Sequence, residues 1–392
     1  MPAASFTFDK RTGLAFIVAF GIVSLFADMA YEGMRAVSGP FLATLGASGA
    51  AVGTIAGLGE LAGYLLRLVS GQAADRSRAY WPITLGGYVV QMLAVPMLAL
   101  AGTWWLAASL IVLERAGKAI RNPPRDVMLS RAGEHVGQGW AFGLHEALDQ
   151  TGALAGPLAA ALILFLHHNY RAALAWMAVP SAITLVLLFA VRVRYRDAGH
   201  IAPPAAHTVS PVRFSRAFWL YAISAALAAF GFADFTLISF HFGKAAVVGQ
   251  AFIPVFYAAA MGAAGAGSLA FGRWFDLSGL IVVVPGMLIG ALVAPLSFLG
   301  GFGLALAGTI AWGIALGVHE AVMSAAVAKM VPVEARGRAY GLFMAMFGLS
   351  WFLGSALMGA LYDISIPLLV TVSVAAELLG VVPLIMAVRA AK

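Results

Sequence analysis

The chain has 392 residues, of which 62% carry hydrophobic side chains and only 10% are charged. A typical soluble domain has about 25% charged residues, so the composition excludes a water-soluble globular protein. The sequence contains no cysteine, which excludes disulfides, thiolate metal sites and a cysteine nucleophile.

Long apolar blocks, rich in Ala, Leu, Gly and Val, follow one another along the whole chain. Many reach the ~18–20 residues that a membrane-spanning helix needs, and they lack the alternation of a transmembrane barrel strand. The sequence therefore predicts an all-α polytopic membrane protein with twelve transmembrane helices. The predicted spans are 13–39, 48–71, 82–101, 103–123, 138–166, 171–192, 216–242, 248–272, 279–299, 302–330, 337–361 and 365–388.

Basic residues are concentrated on one side of these predicted spans. Most of the 24 Lys and Arg residues fall in alternate connections, notably in the segments 115–131 and 192–216. Because cytoplasmic loops carry an excess of Lys and Arg, we expect both termini to be cytoplasmic and the protein to lie in the cytoplasmic (inner) membrane. The net charge of +7 is then an orientation signal that also attracts anionic lipid, so we expect the lipid bilayer and not nucleic acid as a partner.

The longest polar stretch divides the predicted spans six and six. We predict an N-terminal six-helix bundle at 1–192, a cytoplasmic linker at 193–215 and a C-terminal six-helix bundle at 216–392. The halves also repeat weakly: "SLFADM" (24–29) recurs as "GFADFT" (231–236). Parallel repeats of this kind predict two pseudo-symmetric bundles, related by an axis along the membrane normal, with a cavity between them.

Two further repeats fall in corresponding spans. "GQAAD" (71–75) is matched by "GRWFD" (272–276), and the stretch 140–162 aligns with 338–361.

With these motifs the sequence resembles the major facilitator superfamily (MFS) over essentially the whole chain. "GQAADRSRAY" (71–80) lies where that family carries its Gly-x-Leu-Ala-Asp-Arg-x-Gly-Arg-Arg/Lys motif, although Ala79 and Tyr80 replace the later basic pair. "GALAGP" (152–157) is similar to the core of the antiporter-associated motif, and "ERAGKAIRNPPRD" (114–126) is similar to a block of mostly efflux-type members. The resemblance implies the MFS fold and an efflux or antiporter-like branch.

The residues of these motifs also suggest physical roles without reference to the family. An Asp followed by Arg at the cytoplasmic rim offers a salt bridge that forms in one state and breaks in another, and the alternative is a solvated loop that obeys the charge bias. We predict a cytoplasmic gate formed by Gly71, Asp75, Arg76, Arg115 and Asp276. Gly152, Gly156 and Pro157 permit close helix contact and a bend.

Ionisable residues inside the spans are the candidate transport site. An ionised side chain at the bilayer centre costs about 2.5–3.5 kcal/mol on insertion scales, so these residues face a cavity or one another. The predicted proton-coupling and substrate residues are Asp28, Glu32, Arg35, Glu60, Arg67, Glu114, His145, Glu146, Asp149, Asp234, His319 and Glu320.

Asp28, Glu32 and Arg35 share one helical face because they stand at i, i+4 and i+7. One reading is a water-accessible site where protonation and solute compete, and the other is an internal salt bridge that holds the first span against a neighbour. We choose Asp28 as the principal candidate because Asp234 follows the same Phe-Ala dipeptide. His145, His241 and His319 come singly, without the spacing of a metal site, so we expect no bound metal.

The sequence predicts a secondary-active transporter that works by alternating access, with proton-coupled antiport (efflux) of a small organic solute. The chain lacks a Walker motif and any assembled catalytic motif, so we expect neither ATP drive nor enzyme activity, and no cofactor beyond the proton gradient. We expect a monomer whose partners are a small-molecule substrate, protons and the bilayer. The alternatives are proton-coupled uptake, passive facilitation of a solute or ion and, more weakly favoured, metal efflux.

Overall fold

The computed structural model describes residues 8–199, 214–332 and 335–390. Helices account for nearly all of these residues, and no strand occurs among them. A helix suits a membrane because it satisfies its backbone hydrogen bonds within the segment. The α-helices of the described chain are α1 (Lys10–Thr44), α2 (Gly49–Ser77), α3 (Tyr80–Met97), α4 (Trp104–Ala132), α5 (Gln138–His167), α6 (Tyr170–Trp176), α7 (Ala178–Arg194), α8 (Arg216–Gly231), α9 (Phe235–Lys244), α10 (Phe252–Ser278), α11 (Val283–Leu299), α12 (Phe302–Met330), α13 (Arg336–Ile364) and α14 (Ile366–Ala390).

Two predicted spans are interrupted. The span predicted at 171–192 consists of α6 and α7, which meet at Met177, and the span predicted at 216–242 consists of α8 and α9. Residues 232–234 between α8 and α9 are not helical. The stretch Arg216–Lys244 is still long and apolar enough to cross a membrane, so the predicted span at 216–242 contains a break between two helices.

Ten stretches of the described chain are long and apolar enough to cross a membrane. One of them, Phe252–Leu299, is 48 residues long and holds two predicted spans. Within the described residues α4 is not among the ten, because Glu114, Arg115, Lys118 and Arg121 lower its hydropathy. The all-α membrane fold is confirmed, whereas the number of twelve spans stays a prediction.

The helices belong to two compact units. In the described chain the first unit holds residues 8–35 and 62–199, and the second holds the remaining described residues. The end of α1 and the start of α2, residues 36–61, thus group with the C-terminal half. The division into two six-helix bundles joined by a linker at 193–215 stays a prediction, and residues 200–213 of that linker lie outside the described part of the chain.

In the first unit, α3 packs closely along α4. A side chain at Gly87 would place its Cβ 2.7 Å from the Arg121 backbone nitrogen, and one at Gly117 would lie equally near the Gln91 nitrogen. Only glycine allows the two helices to approach this closely. The close approach brings the Gln91 and Arg121 side chains into contact.

In the second unit, the first turn of α2 is held by α13. The Asp363 carboxylate accepts hydrogen bonds from the Gly49 backbone N–H at 2.9 Å and from the Ala50 N–H at 2.8 Å. One turn further along α2, a Cβ at Gly53 would collide with the Ser355 carbonyl oxygen. The start of α2 is therefore capped by a residue from the far end of the sequence and packs tightly against the same helix.

Candidate functional site

The charged stripe of α1 is buried in the first unit. Asp28, Glu32 and Arg35 are each at most 8% exposed. The Asp28 carboxylate lies 3.4 Å from Arg121 Nη2 and 3.8 Å from Lys118 Nζ, both on α4. Asp28 thus has two cationic partners from one neighbouring helix, which is the internal salt bridge that one reading of the sequence expects.

Basic side chains of α4 also lie over two aromatic rings of the first unit, Tyr31 and Tyr88. Lys118 Nζ lies 3.8 Å from the centre of the Tyr31 ring, and the Arg115 guanidinium lies over the same ring and donates a hydrogen bond to the Tyr31 hydroxyl. The Arg121 guanidinium lies 4.1 Å from the centre of the Tyr88 ring. A cation over an aromatic face is attracted by the ring quadrupole, so these rings help to hold the basic residues of α4 inside the unit.

Gln91 on α3 connects the two acidic residues of the network. Arg121 Nε donates to Gln91 Oε1 at 2.6 Å, and Gln91 Nε2 donates to Glu114 Oε1 at 2.8 Å. Glu114 is fully buried, and its other oxygen lies 4.0 Å from Arg115 Nε. Asp28, Arg121, Gln91 and Glu114 therefore form one continuous chain of polar contacts across three helices.

A second group of charges lies where α5 faces α1 and α4. His145 Nδ1 is 3.5 Å from Asp149 Oδ2, and Arg125 Nη1 is 4.0 Å from the same oxygen. His145 Nε2 also contacts the Ser24 hydroxyl at 3.0 Å, and that hydroxyl lies 3.3 Å from the Tyr88 hydroxyl. Ser24, one turn before Asp28 on α1, thus joins this group to the rest of the network.

The remaining predicted residues are less buried or lie in the second unit. Arg67, Glu146 and Glu320 are exposed, and Glu60 is half-buried. Glu146 accepts a hydrogen bond from its neighbour on α5, Gln150, at 2.9 Å. Glu60 and Glu320 belong to the second unit. The structure brings together the predicted residues of α1 and α4 with His145 and Asp149 of α5.

Asp234 lies in the second unit, at the break between α8 and α9. Its Oδ1 accepts a hydrogen bond from the Thr236 backbone N–H at 2.8 Å, so Asp234 is the N-cap of α9. Trp312 Nε1 donates to the Ala233 carbonyl oxygen at 2.9 Å. These two bonds satisfy backbone groups that the break would otherwise leave unpaired, and they explain why the chain tolerates an interruption here.

His319 lies on α12 and is buried among aromatic side chains. Its ring is 5.1 Å from that of Phe232 and 6.1 Å from that of Phe347. The residue lines a small cavity together with Tyr221, Ser224 and other side chains of α8, α11 and α12. Among the described residues no group of three or more His, Asp or Glu side chains is placed to hold a metal ion.

Four of the five predicted gate residues lie toward the ends of helices, whereas Arg115 lies in the middle of α4 and contacts Tyr31. Asp75 and Arg76 are exposed near the end of α2, and Asp276 is exposed near the end of α10. The Tyr80 hydroxyl donates to Asp75 Oδ1 at 2.8 Å. Tyr80, which departs from the basic pair of the family motif, therefore supplies a neutral hydrogen-bond donor to the motif's acidic residue.

The predicted packing residues bring α5 against α1. A Cβ at Gly152 would collide with the Leu25 carbonyl oxygen, and one at Gly156 with the Met29 carbonyl oxygen. Pro157 lies inside α5 and is buried. These contacts are on either side of Asp28, so they fix the position of the α1 stripe relative to α5.

Several residues of the network are absent from the sequence-based prediction of the site. Gln91, Tyr88 and Ser24 are uncharged, and a single polar residue in an apolar span gives a weak signal. Glu377 on α14 is also absent from it, although an acidic residue within a long apolar run is a signal that sequence reasoning could have used.

The fold is that of a polytopic membrane protein, and its first unit contains a buried network of charged side chains. The sequence matches the family model described as Major Facilitator Superfamily over residues 13–277. The chain therefore belongs to the Major Facilitator Superfamily, as the sequence motifs predict. Membership of this superfamily makes the protein a secondary transporter and not an enzyme.

Two curated relatives match this chain, and the second of them is named an MFS-type transporter. An uncharacterized protein of Mycobacterium tuberculosis (strain H37Rv) is 41% identical over 375 residues, which cover 94% of this chain and 91% of that protein. An uncharacterized MFS-type transporter of Methanocaldococcus jannaschii is 28% identical over 178 residues, covering 45% of this chain and 44% of that protein.

Among solved structures, a mutant of the nucleoside transporter NupG superposes with a TM-score of 0.76 at 14% identity, covering 96% of this chain and 100% of that chain. A mutant of the peptide transporter POT also gives a TM-score of 0.76 at 14% identity, covering 98% of this chain and 99% of that chain. At this level of identity the likeness shows the shared fold alone.

Proposed function

We propose that the protein exports a small organic solute in exchange for protons, by exposing one central site alternately to each side of the cytoplasmic membrane. The proposal includes a monomer with both termini in the cytoplasm. Membership of a secondary-transporter superfamily supports it, and the antiporter-like segment at 152–157 favours exchange over co-transport. The proton gradient then supplies the driving force, and no cofactor takes part.

The observation that carries the proposal is the arrangement around Asp28. Its two cationic contacts, 3.4 Å to Arg121 and 3.8 Å to Lys118, are longer than the 2.7–2.9 Å typical of a charge-assisted hydrogen bond. Addition of a proton to Asp28 would remove the negative charge that both cations share. Lys118 and Arg121 could then rearrange or attract a polar group of the solute, so that proton and solute compete for one site.

The first experiment identifies a ligand. Purified protein is screened by thermal shift against compound classes, beginning with nucleosides and short peptides, since the structural neighbours include a nucleoside transporter and peptide transporters. A ligand at 100 times its dissociation constant stabilises the folded state by about 2.7 kcal/mol. A hit defines the solute for transport assays.

The second experiment tests proton coupling. Proteoliposomes containing a pH-sensitive dye are given the solute, and we expect a change in luminal pH with the wild-type protein and none with Asp28→Asn. Glu134→Gln, at an exposed acidic residue between α4 and α5, is the matched control and should behave as wild type. Unchanged proton movement in Asp28→Asn would contradict the role of Asp28.

An imposed pH gradient separates the alternative functions. Accumulation of solute on the side of higher proton concentration supports antiport, and accumulation on the opposite side supports symport. Downhill flux that ignores the gradient supports a passive facilitator. Replacement of the organic solute by a divalent metal ion in the same assay tests metal efflux.

A further inference from the structure

A further acidic residue, outside the Asp28 network, is buried in the second unit. Glu377 lies in the middle of α14 and is 0% exposed. Neither of its carboxyl oxygens has a hydrogen-bond partner among the described residues. This distinguishes it from Asp28, which has two cationic neighbours.

The Glu377 side chain occupies a recess made by two glycines. A Cβ at Gly290 on α11 would lie 2.8 Å from Glu377 Oε1, and a Cβ at Gly231 on α8 would lie 3.1 Å from Glu377 Cγ. Any larger residue at either position would compete with the carboxyl group for space. The three helices α8, α11 and α14 thus enclose this side chain.

Among the described residues of the helices around Glu377, no Lys or Arg is placed to balance a negative charge. Within the described chain α11 carries no ionisable side chain. On α8, Arg216 and Tyr221 lie about 22 Å and 15 Å from Gly231 along the helix axis, and on α14 itself Arg389 lies about 18 Å away.

The ionisable groups of α13, which also packs against α14, lie toward the two ends of that helix and not beside Glu377. They are Arg336, Arg338, Tyr340, Tyr362 and Asp363.

We propose that Glu377 is a proton-binding site of the second unit, separate from Asp28. A buried carboxylate without a partner is strongly unfavourable, whereas the uncharged acid is tolerated. A proton also needs no coordination shell, whereas a metal cation would need several oxygen ligands around it. The enclosed, uncompensated recess therefore fits a proton and does not fit a metal ion.

A small cavity is the route by which we expect protons to reach this site. Its lining residues Ala228 and Met287 precede Gly231 and Gly290 by one helical turn, so the cavity ends about one turn from the carboxyl group. Ser224, which also lines the cavity, donates a hydrogen bond to the Gly380 carbonyl oxygen at 2.8 Å, one turn beyond Glu377 on α14. In the predicted topology this end of α8 faces the cytoplasm.

Proton binding at Glu377 does not depend on the identity of the solute, whereas a role in driving transport rests on the proposed antiport. The test is therefore made first on purified protein without solute. Infrared spectra of wild type and Glu377→Gln are compared at neutral pH in H₂O and D₂O. We expect the difference spectrum to contain the carbonyl band of a protonated carboxylic acid that shifts in D₂O.

Control variants test whether the infrared band comes from Glu377. Asp28→Asn should retain the Glu377 band, and so should Gly265→Ala, since a Cβ at Gly265 meets open space. Gly290→Ala should shift the band, and it replaces Glu377→Gln if that variant does not fold. A difference spectrum that contains carboxylate bands instead, or a band that Gly290→Ala leaves in place, would overturn the proposal.

The route and the coupling are tested in turn. Ala228→Leu, which fills part of the cavity, should slow hydrogen–deuterium exchange of the Glu377 band by at least tenfold, and an unchanged rate would exclude this cavity as the route. In proteoliposomes, we expect Glu377→Gln to lower the number of protons moved per solute. Loss of the infrared band without a change in this number would confine Glu377 to proton binding, and the proposed antiport would stand unaffected.

Discussion

Asp28 and Asp234 follow the same Phe-Ala dipeptide, yet the two units use them differently. Asp28 lies within the continuous helix α1 and faces Lys118 and Arg121 of α4. Asp234 lies outside any helix and caps the start of α9 through the Thr236 N–H. The same short sequence therefore gives an ion-pair partner in one unit and a helix cap in the other.

The neighbouring helix explains the difference. The fourth predicted span, α4, brings a row of cations toward α1, whereas the tenth, α12, brings Trp312 toward the equivalent segment. The Trp312 indole donates to the Ala233 carbonyl oxygen, and no carboxylate is needed to balance it. A repeat thus preserves the position of an acidic residue, while the residues that face it decide its chemistry.

Close helix packing, by contrast, is common to both units. Gly156 on α5 and Gly354 on α13 occupy equivalent places in the aligned stretches, and a Cβ at either would collide with a backbone carbonyl oxygen, that of Met29 and that of Phe230. Met29 directly follows Asp28, and Phe230 lies about one turn before Asp234. The two units share the packing and differ in the polar network built upon it.

Among variants of the two units, removal of the Arg121 side chain should cause the largest loss of stability. We expect Arg121→Met to lower the free energy of unfolding by about 3 kcal/mol, because the buried Asp28 carboxylate loses its nearer cationic partner and keeps the more distant Lys118. Trp312→Phe in the second unit should cost only about 1 kcal/mol, the net value of one hydrogen bond. Denaturation in detergent micelles measures both.

A double variant shows whether charge causes the loss. Addition of Asp28→Asn to Arg121→Met should recover part of the lost stability, because the carboxylate that lost its nearer cation is then removed. Equal losses in Arg121→Met and Trp312→Phe, or no recovery in the double variant, would mean that the two regions are held by the same kind of interaction.

Replacement of the two packing glycines should have a smaller effect of similar size in both units. We expect Gly156→Ala and Gly354→Ala each to cost about 1–3 kcal/mol, since overpacking forces the backbone apart. Gly143→Ala is the matched control on α5, where a Cβ meets open space, and it should leave stability unchanged or raise it by up to about 1 kcal/mol. If Gly156→Ala or Gly354→Ala leaves stability as unchanged as Gly143→Ala does, the close helix contact at that glycine does not stabilise its unit.

The smallest effect should come from the cap at Asp234. Asp234→Ala should cost about 1 kcal/mol through loss of the N-cap, and Asp234→Asn only a few tenths, because Asn caps a helix about as well as Asp. Thermal unfolding of the two variants measures the difference. If Asp234→Asn loses as much as Asp234→Ala, the negative charge matters more than the cap, and Asp234 would resemble Asp28 after all.

Much of the fold could be predicted from sequence because a bilayer requires long apolar helices, and their composition shows where they lie. The break at 232–234 could not be found this way, since the Phe residues that flank Asp234 keep the segment apolar and the bond from Trp312 depends on the fold. The buried charges of α1, α4 and α5 were recognisable as costly in a membrane. Their mutual pairing, and the bridge through Gln91, depend on which helices pack together.

The carboxylate of Asp363 affects the order in which parts of the chain can fold during synthesis. It caps α2 at Ala50, a residue 313 positions earlier. At a synthesis rate of roughly 5–20 residues per second, Ala50 is made about 15–60 s before Asp363. The first turn of α2 must remain without this cap throughout that interval, so the N-terminal half cannot mature fully while the ribosome is still completing the C-terminal half.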